Sequence, residues 1–244
     1  MSSGSYRYAV VIGASTGIGA ELVRQLAASG ARVAAVARNR DRLEALVREN
    51  PEKILAYVHD VKCPAEVPEL FQKITGELGG LDLFIYNAGV MPEIGANEYD
   101  FGKDSGIIDV NITGAVAWLD QAALRFDNVQ HGTLVGIGSV AGDRGRQGTP
   151  VYNASKSFLA SFMEALRNRL SKRGITVVTI KPGPVDTEMT AHMQFSHMMS
   201  AKDAARITLA KSHKSGEHYL KFTHKIAFWI IRNIPSPLFR KLKI

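Results

Sequence analysis

With a single cysteine, Cys63, in 244 residues, the chain can form no internal disulfide, and its stability must come from a packed core. That thiol lies in a turn-like Lys62-Cys63-Pro64 run without a partner motif. The seven histidines include no His-Glu-x-x-His, and there is no second cysteine to complete a zinc pattern, so no metal site is expected. Gly-x-Ser-x-Gly is also missing: Gly136-Ile137-Gly138-Ser139 continues as Val140-Ala141, which argues against a hydrolase serine. No phosphate loop ends in Gly-Lys-Ser/Thr. The apolar stretch Ile226–Ile234 is nine residues with Arg232 inside it, whereas a spanning helix needs about 20. The first residues, Met1 to Ser5, run into an apolar segment at Tyr8 and leave no room for a signal peptide. The expected location is cytoplasmic, with the inner face of a membrane as an extension of it.

The net charge of +7 invites a nucleic-acid reading, but its distribution opposes one. Residues 1–210 hold 22 Lys/Arg and 22 Asp/Glu, while residues 211–244 hold 8 Lys/Arg against Glu217 alone. A neutral body with a basic tail lacks the interleaved basic and aromatic surface of a nucleic-acid binder, so no nucleic-acid partner is expected.

What is present is ordinary for a globular chain: 45% hydrophobic and 22% charged residues, enough for one large domain. Short apolar runs predict strands over Tyr8–Ile12, Arg32–Ala37, Ile54–His59, Leu81–Tyr86, Thr133–Ile137 and Thr176–Ile180, with a weaker one at Tyr219–Phe222. Helical patterns fall between them, at Ala20–Ser29, Arg40–Glu49, Ala65–Glu77, Ile107–Leu124 and Ser155–Lys172. Strands that are apolar at consecutive positions and alternate with helices imply an α/β fold with a buried parallel sheet.

The first strand runs into Gly13-Ala14-Ser15-Thr16-Gly17-Ile18-Gly19 and then a helix. Glycines there allow a tight turn and close approach of the backbone to a pyrophosphate, and the helix N-terminus supplies N–H groups and a positive dipole end. The second strand ends at Ala37-Arg38-Asn39. An enzyme selecting NAD would have a carboxylate there for the ribose 2′-hydroxyl; Arg38 instead suits the 2′-phosphate of NADP(H), with Asn39 and Ser15 able to assist.

The Gly-x-x-x-Gly-x-Gly spacing resembles that of the classical short-chain dehydrogenases/reductases, and further motifs of that family follow in order over roughly residues 6–190. Asp60-Val61 resembles the pair that meets adenine, and Asn87-Ala88-Gly89 the segment lining the cofactor pocket. Pro182-Gly183-Pro184-Val185-Asp186-Thr187 resembles the loop that reaches the nicotinamide, with Thr187 on its carboxamide. The resemblance implies one Rossmann-type, doubly wound parallel sheet in the order 3-2-1-4-5-6-7. It also implies NADP(H)-dependent interconversion of a carbonyl and an alcohol, and a homodimer or homotetramer built through the helices holding Asn111 and Tyr152.

The chemistry is expected from Ser139 and Tyr152-x-x-x-Lys156. Tyr152 would carry the proton between solvent and the substrate oxygen. Lys156, one helical turn on, would lower the pKa of the phenol by its charge. Ser139 would hold the substrate oxygen. By resemblance, Lys156 also holds the nicotinamide ribose hydroxyls, and Asn111 positions a water in a proton relay. The sequons at Asn111 and Asn153 fall inside predicted helices beside this site, which argues against glycosylation.

Two regions leave alternatives open. Met189, Met193, Phe195, Met198 and Met199 form either a pocket for an apolar substrate or a helix packed on the core. Arg144 and Arg146 either read an acidic group on the substrate or are solvated loop charges. The expected division is a catalytic domain over 1–223 and a basic, apolar tail over 224–244. That tail contacts an anionic membrane peripherally, folds over the active site, or is buried against a partner subunit. A non-catalytic NADPH-binding regulator or membrane-associated scaffold is the alternative to an enzyme.

Overall fold

The computed structural model describes residues 6–95, 97–193 and 197–242. Seven strands form one sheet: β1 (Tyr8–Ile12), β2 (Arg32–Ala37), β3 (Ile54–Val58), β4 (Leu83–Tyr86), β5 (Gly132–Ile137), β6 (Ile175–Lys181) and β7 (Gly216–Tyr219). Their order is 3-2-1-4-5-6-7, every pairing is parallel, and this is the expected doubly wound architecture. Alternate side chains of β1 leave the sheet in opposite directions, as the two-residue repeat requires. Val10 and Ile12 join one buried cluster while Ala9 and Val11 join the other.

The first cluster packs α3 (Val67–Leu78), α5 (Gly114–Val129) and α6 (Pro150–Leu170) against the sheet, with Trp118, Phe71 and Phe84 at its centre. The second packs α1 (Gly17–Ala28), α2 (Arg40–Glu49) and α7 (Ala201–Lys211). Strand order reverses between β1 and β4, so a crevice opens at their carboxyl ends, the place where such sheets bind ligands.

Several elements differ from the expected ones. The single helix expected over Ile107–Leu124 is two, α4 (Phe101–Ile108) and α5, joined through a π-helical turn at Asp109–Thr113. Helix α6 starts at Pro150 rather than Ser155, because proline at the first helical position forfeits only an N–H that has no partner there anyway. That earlier start puts both Tyr152 and Lys156 inside the helix. Strand β7 lies before Tyr219–Phe222, since this edge strand is held partly by an ion pair from Glu217 to Lys181 (2.8 Å) and not by apolar burial alone.

In the methionine segment, Met189–Met199, the described residues hold the end of a short 3-10 turn (Glu188–Thr190) and no α-helix, and Phe195 lies outside those residues. The chain then forms α8 (Phe222–Asn233) and α9 (Ser236–Phe239). No helix among the described residues is long and apolar enough to cross a membrane.

Candidate functional site

The β1–α1 turn is fixed by steric necessity. Gly13 has φ +81°, and a Cβ on it would stand 2.6 Å from the Ala88 backbone. A Cβ on Gly19 would stand 2.0 Å from the Gly13 carbonyl oxygen, so the helix can lie this close to the strand only with glycine there. The Gly13 N–H donates to the Val36 carbonyl (2.8 Å), and Asn87 Nδ2 donates to the Gly13 carbonyl (2.8 Å). Asn87 therefore braces the turn from the neighbouring strand. At the N-terminus of α1, Thr16 makes no side-chain cap and no acid occupies the first turn. The N–H groups and the positive dipole end stay available to an anion.

A cavity of ≈ 1080 Å³ spreads from this turn along the crevice, large enough for a dinucleotide with room to spare. Ser15, Thr16, Gly17 and Ile18 form one wall of it; Arg38, Asn39 and Val61 line the end beside β2 and β3. Arg38 is largely exposed, 3.9 Å from Asp60, and able to turn to an added phosphate. Asn39 is partly committed: its Oδ1 accepts from the Arg42 N–H (3.0 Å) as the cap of α2. Two residues without a sequence signal appear here. Arg42 pairs with Glu188 at 2.8 Å, joining α2 to the loop after Thr187 across the mouth of the cavity. His59 is buried in the wall with Nδ1 unpartnered.

At the other end the cavity meets Ala88, Gly89, Pro182, Gly183, Val185 and Thr187. Ser139, Tyr152 and Lys156 all reach it at the carboxyl end of β5. Ser139 Oγ accepts from the Ala141 N–H (3.0 Å), an arrangement that leaves its own proton free to donate outward. Lys156 is buried, donates to the Ile137 carbonyl (3.2 Å), and holds its Nζ 5.8 Å from the Tyr152 ring centre. Burial pushes its pKa down to about 8.

The electrostatics of Tyr152 differ from the sequence expectation. Burial raises its pKa, while the Ser139 hydroxyl and then the positive charge of Arg146 pull it back. Lys156 is not among the groups that lower it. The phenol is thus kept protonated, the form a proton donor needs.

Gly19, Asp60 and Asn111 stand outside the cavity wall. Asp60 accepts from the Lys62 N–H (3.0 Å). Asn111 is buried in the π-helical turn, an interruption common at functional sites. Its Oδ1 accepts from Val90 N (2.8 Å), and its Nδ2 donates to Val90 O (3.1 Å) and Ser155 Oγ (3.0 Å). Both Nδ2 protons are therefore used within the fold, while Oδ1 keeps one acceptor site. Gly89 keeps the space between them open: a Cβ there would lie 3.2 Å from Lys156 Nζ and 3.4 Å from Asn111 Oδ1.

The two arginines left open by the sequence separate. Arg144 turns to the tail, donating to the carbonyls of Ile231 (3.1 Å), Arg232 (3.0 Å) and Ile234 (2.6 Å), with the Phe239 ring 4.3 Å away. Arg146 turns into the cavity. Met189, Met193 and Phe228 line it too, so part of the methionine segment and one face of α8 belong to the site. His224, one turn before Phe228, packs so closely on Gly183 that a Cβ there would meet its ring at 2.1 Å. Among the described residues no cluster of three His, Cys, Asp or Glu could hold a metal.

A Rossmann-type sheet with this turn and this trio of side chains defines a dinucleotide-binding oxidoreductase fold, and residues 7–197 match the family described as short chain dehydrogenase. The chain belongs to that family. An uncharacterised oxidoreductase of Myxococcus xanthus is 37% identical over 98% of this chain and 97% of its own length. One of Mycobacterium tuberculosis is 34% identical over 82% and 81%. A short-chain dehydrogenase of Burkholderia cenocepacia, solved in complex with NADP, superposes with a TM-score of 0.86 over 98% of both chains. At 21% identity that likeness speaks for the fold.

Proposed function

We propose that the protein is an NADP(H)-dependent oxidoreductase that interconverts a carbonyl and an alcohol, with Tyr152, Ser139 and Lys156 as its catalytic residues and Asn111 in support. The observation carrying this reading is the convergence of those three side chains on one cavity that also contains the uncapped N-terminus of α1. The donor set suits a dinucleotide phosphate: the free α1 terminus for the pyrophosphate, and Arg38, assisted by Ser15 and Asn39, for a 2′-phosphate. The bound cofactor would supply the hydride. Ser139 donates its free proton to the substrate oxygen and orients it. Tyr152, held protonated by burial, delivers a proton to that oxygen as charge develops, and takes it back in the reverse direction. Lys156 binds ribose hydroxyls as an ammonium. Asp60 and Val61 flank the adenine end, and the Pro182–Thr187 loop, Gly183 and Val185 included, closes on the nicotinamide end.

Met189, Met193 and Phe228 support an apolar substrate, because methionine adapts to irregular hydrophobic shapes. The test is loss of NADPH absorbance against aliphatic, aromatic, steroid and quinone carbonyls. Tyr152→Phe should lower kcat by about 10²–10⁴-fold, the usual contribution of a positioned acid. NADPH binding with no turnover on any compound would favour a regulator.

We also infer peripheral contact of α8 with an anionic membrane. Phe222, Ile226, Trp229 and Ile230 recur at helical spacing and are all exposed, while the opposite face carries His224 and Phe228 toward the cavity. Exposed Lys225, Arg232, Arg240 and Lys241 flank this stripe in the segment that holds all the net charge, which complements anionic lipid. Sedimentation with vesicles containing phosphatidylserine should fall on Trp229→Glu/Ile230→Glu. Equal sedimentation of both proteins would overturn the inference. Exposed Ile108 and Leu124 on the helices around Asn111, and Phe158 on α6, support a homodimer or homotetramer built through those helices.

A further inference from the structure

The loop between Ser139 and Tyr152 carries two guanidinium groups, and the structure gives them opposite circumstances. Arg144 is engaged through Nη1 by the carbonyls at the end of α8. Arg146, two residues on, is half-buried in the cavity wall, and its guanidinium has no hydrogen-bond acceptor and no carboxylate in ion-pair range among the described residues. The charge of Asp143, near in sequence, does reach it, but that carboxylate is bound at short range by Lys181 (2.5 Å) and by the Tyr219 hydroxyl (2.9 Å). The backbone of Arg146 is held in place: buried Asn153, next to Tyr152 in the first turn of α6, donates from Nδ2 to its carbonyl (3.3 Å).

A guanidinium withdrawn from water without acceptors is costly, and burial accordingly pushes the pKa of Arg146 down. Its charge is felt by the Tyr152 phenol, and both side chains line the same cavity. Met189, Met193 and Phe228 line that cavity too. Apolar side chains and an unmatched, fork-shaped cation in one cavity suit an amphiphile with a planar anion.

We propose that Arg146 anchors an acidic group of the substrate, a carboxylate carried by an otherwise apolar carbonyl compound. This rests on the reading that the cavity is the substrate site of a reductase, but its test does not need turnover.

Decanoate and decanamide differ in charge and little in shape, so calorimetric titration of each into the NADPH complex isolates the anion. The wild type should bind decanoate about tenfold to a hundredfold more tightly than decanamide, the range for a charge-assisted hydrogen bond. Arg146→Gln should bring decanoate to the level of the amide, leave decanamide binding unchanged, and not lower the thermal midpoint, since it removes an unmatched charge. Arg146→Lys, which keeps the charge but loses the fork, should fall between. Equal binding of the two ligands by the wild type, no binding of decanoate, or a preference that survives in Arg146→Gln would each overturn the proposal. Failure of the wild type to bind NADPH would instead overturn the cofactor reading. A decanoate preference lost in the variant, without reduction of any carbonyl, would keep the anchor and remove the reaction.

Discussion

Lys181 and Asp143 meet at 2.5 Å behind the Ser139 loop, with side-chain exposures of 3% and 0%. Lys181 also reaches Glu217 on β7 at 2.8 Å. Breaking a buried pair from one side strands a charge, at a cost of about 3–5 kcal/mol. Lys181→Met should therefore destabilise the protein by that amount in urea unfolding. Asp143→Asn should cost less, since Lys181 keeps Glu217. The double variant Asp143→Leu/Lys181→Met should recover part of the loss.

Lys156 sets an alkaline limit. Its pKa is down from 10.5 to about 8 by burial, and the ammonium is the form proposed above to donate to ribose hydroxyls. Activity in carbonyl reduction should be full below pH 8 and fall as pH rises through it, while the raised Tyr152 phenol stays protonated. For folding the sign is opposite. The cost of burying the ammonium is complete below about 8 and fades as pH climbs to 10.5, so this residue's contribution to stability improves over that window. Lys156→Arg should move the alkaline limb of the kcat/KM profile upward, and an unmoved limb would assign it elsewhere.

Arg144→Ala should loosen α8 without unfolding the sheet. The loss of hydrogen bonds from a charged donor, about 1.5–3 kcal/mol, corresponds to roughly tenfold to a hundredfold more opening. Hydrogen exchange of the 222–233 amides should accelerate by that factor, with β1 to β6 amides unaffected.

Glu188→Gln should have a small effect. The pair with Arg42 is exposed on both sides, and such pairs contribute about 0.2–1 kcal/mol. NADPH dissociation, followed by stopped-flow fluorescence, should quicken no more than about fivefold. A larger change would mean that the pair acts as a latch over the cavity.

The parts legible in sequence are those whose geometry is local. A glycine turn between a strand and a helix, an arginine after β2, and Tyr152 four residues before Lys156 carry their spacing within a few residues, and the structure brings them to one crevice. What was hidden depends on partners far along the chain. Nothing near Arg42 announces Glu188, and nothing near Arg144 announces the end of α8. The apolar stretch of α8 advertises burial, yet only one of its faces is covered, so its pattern does not reveal that Phe228 lines the cavity. The expectation for Tyr152 fails because burial, a property of the whole fold, raises its pKa while Lys156 is not among the groups that lower it.

The contact of His224 with Gly183 has a consequence for the order of assembly. The end of the crevice lined by Arg38 and Val61 is made from β1 to β4, all of which precede α8 in synthesis by well over a hundred residues. The end lined by Gly183 and Tyr152 takes its final shape only when α8 is laid against the Gly183 loop and clamped by Arg144. A nascent chain can therefore shape the end proposed to grip the cofactor well before it can shape the end proposed to react.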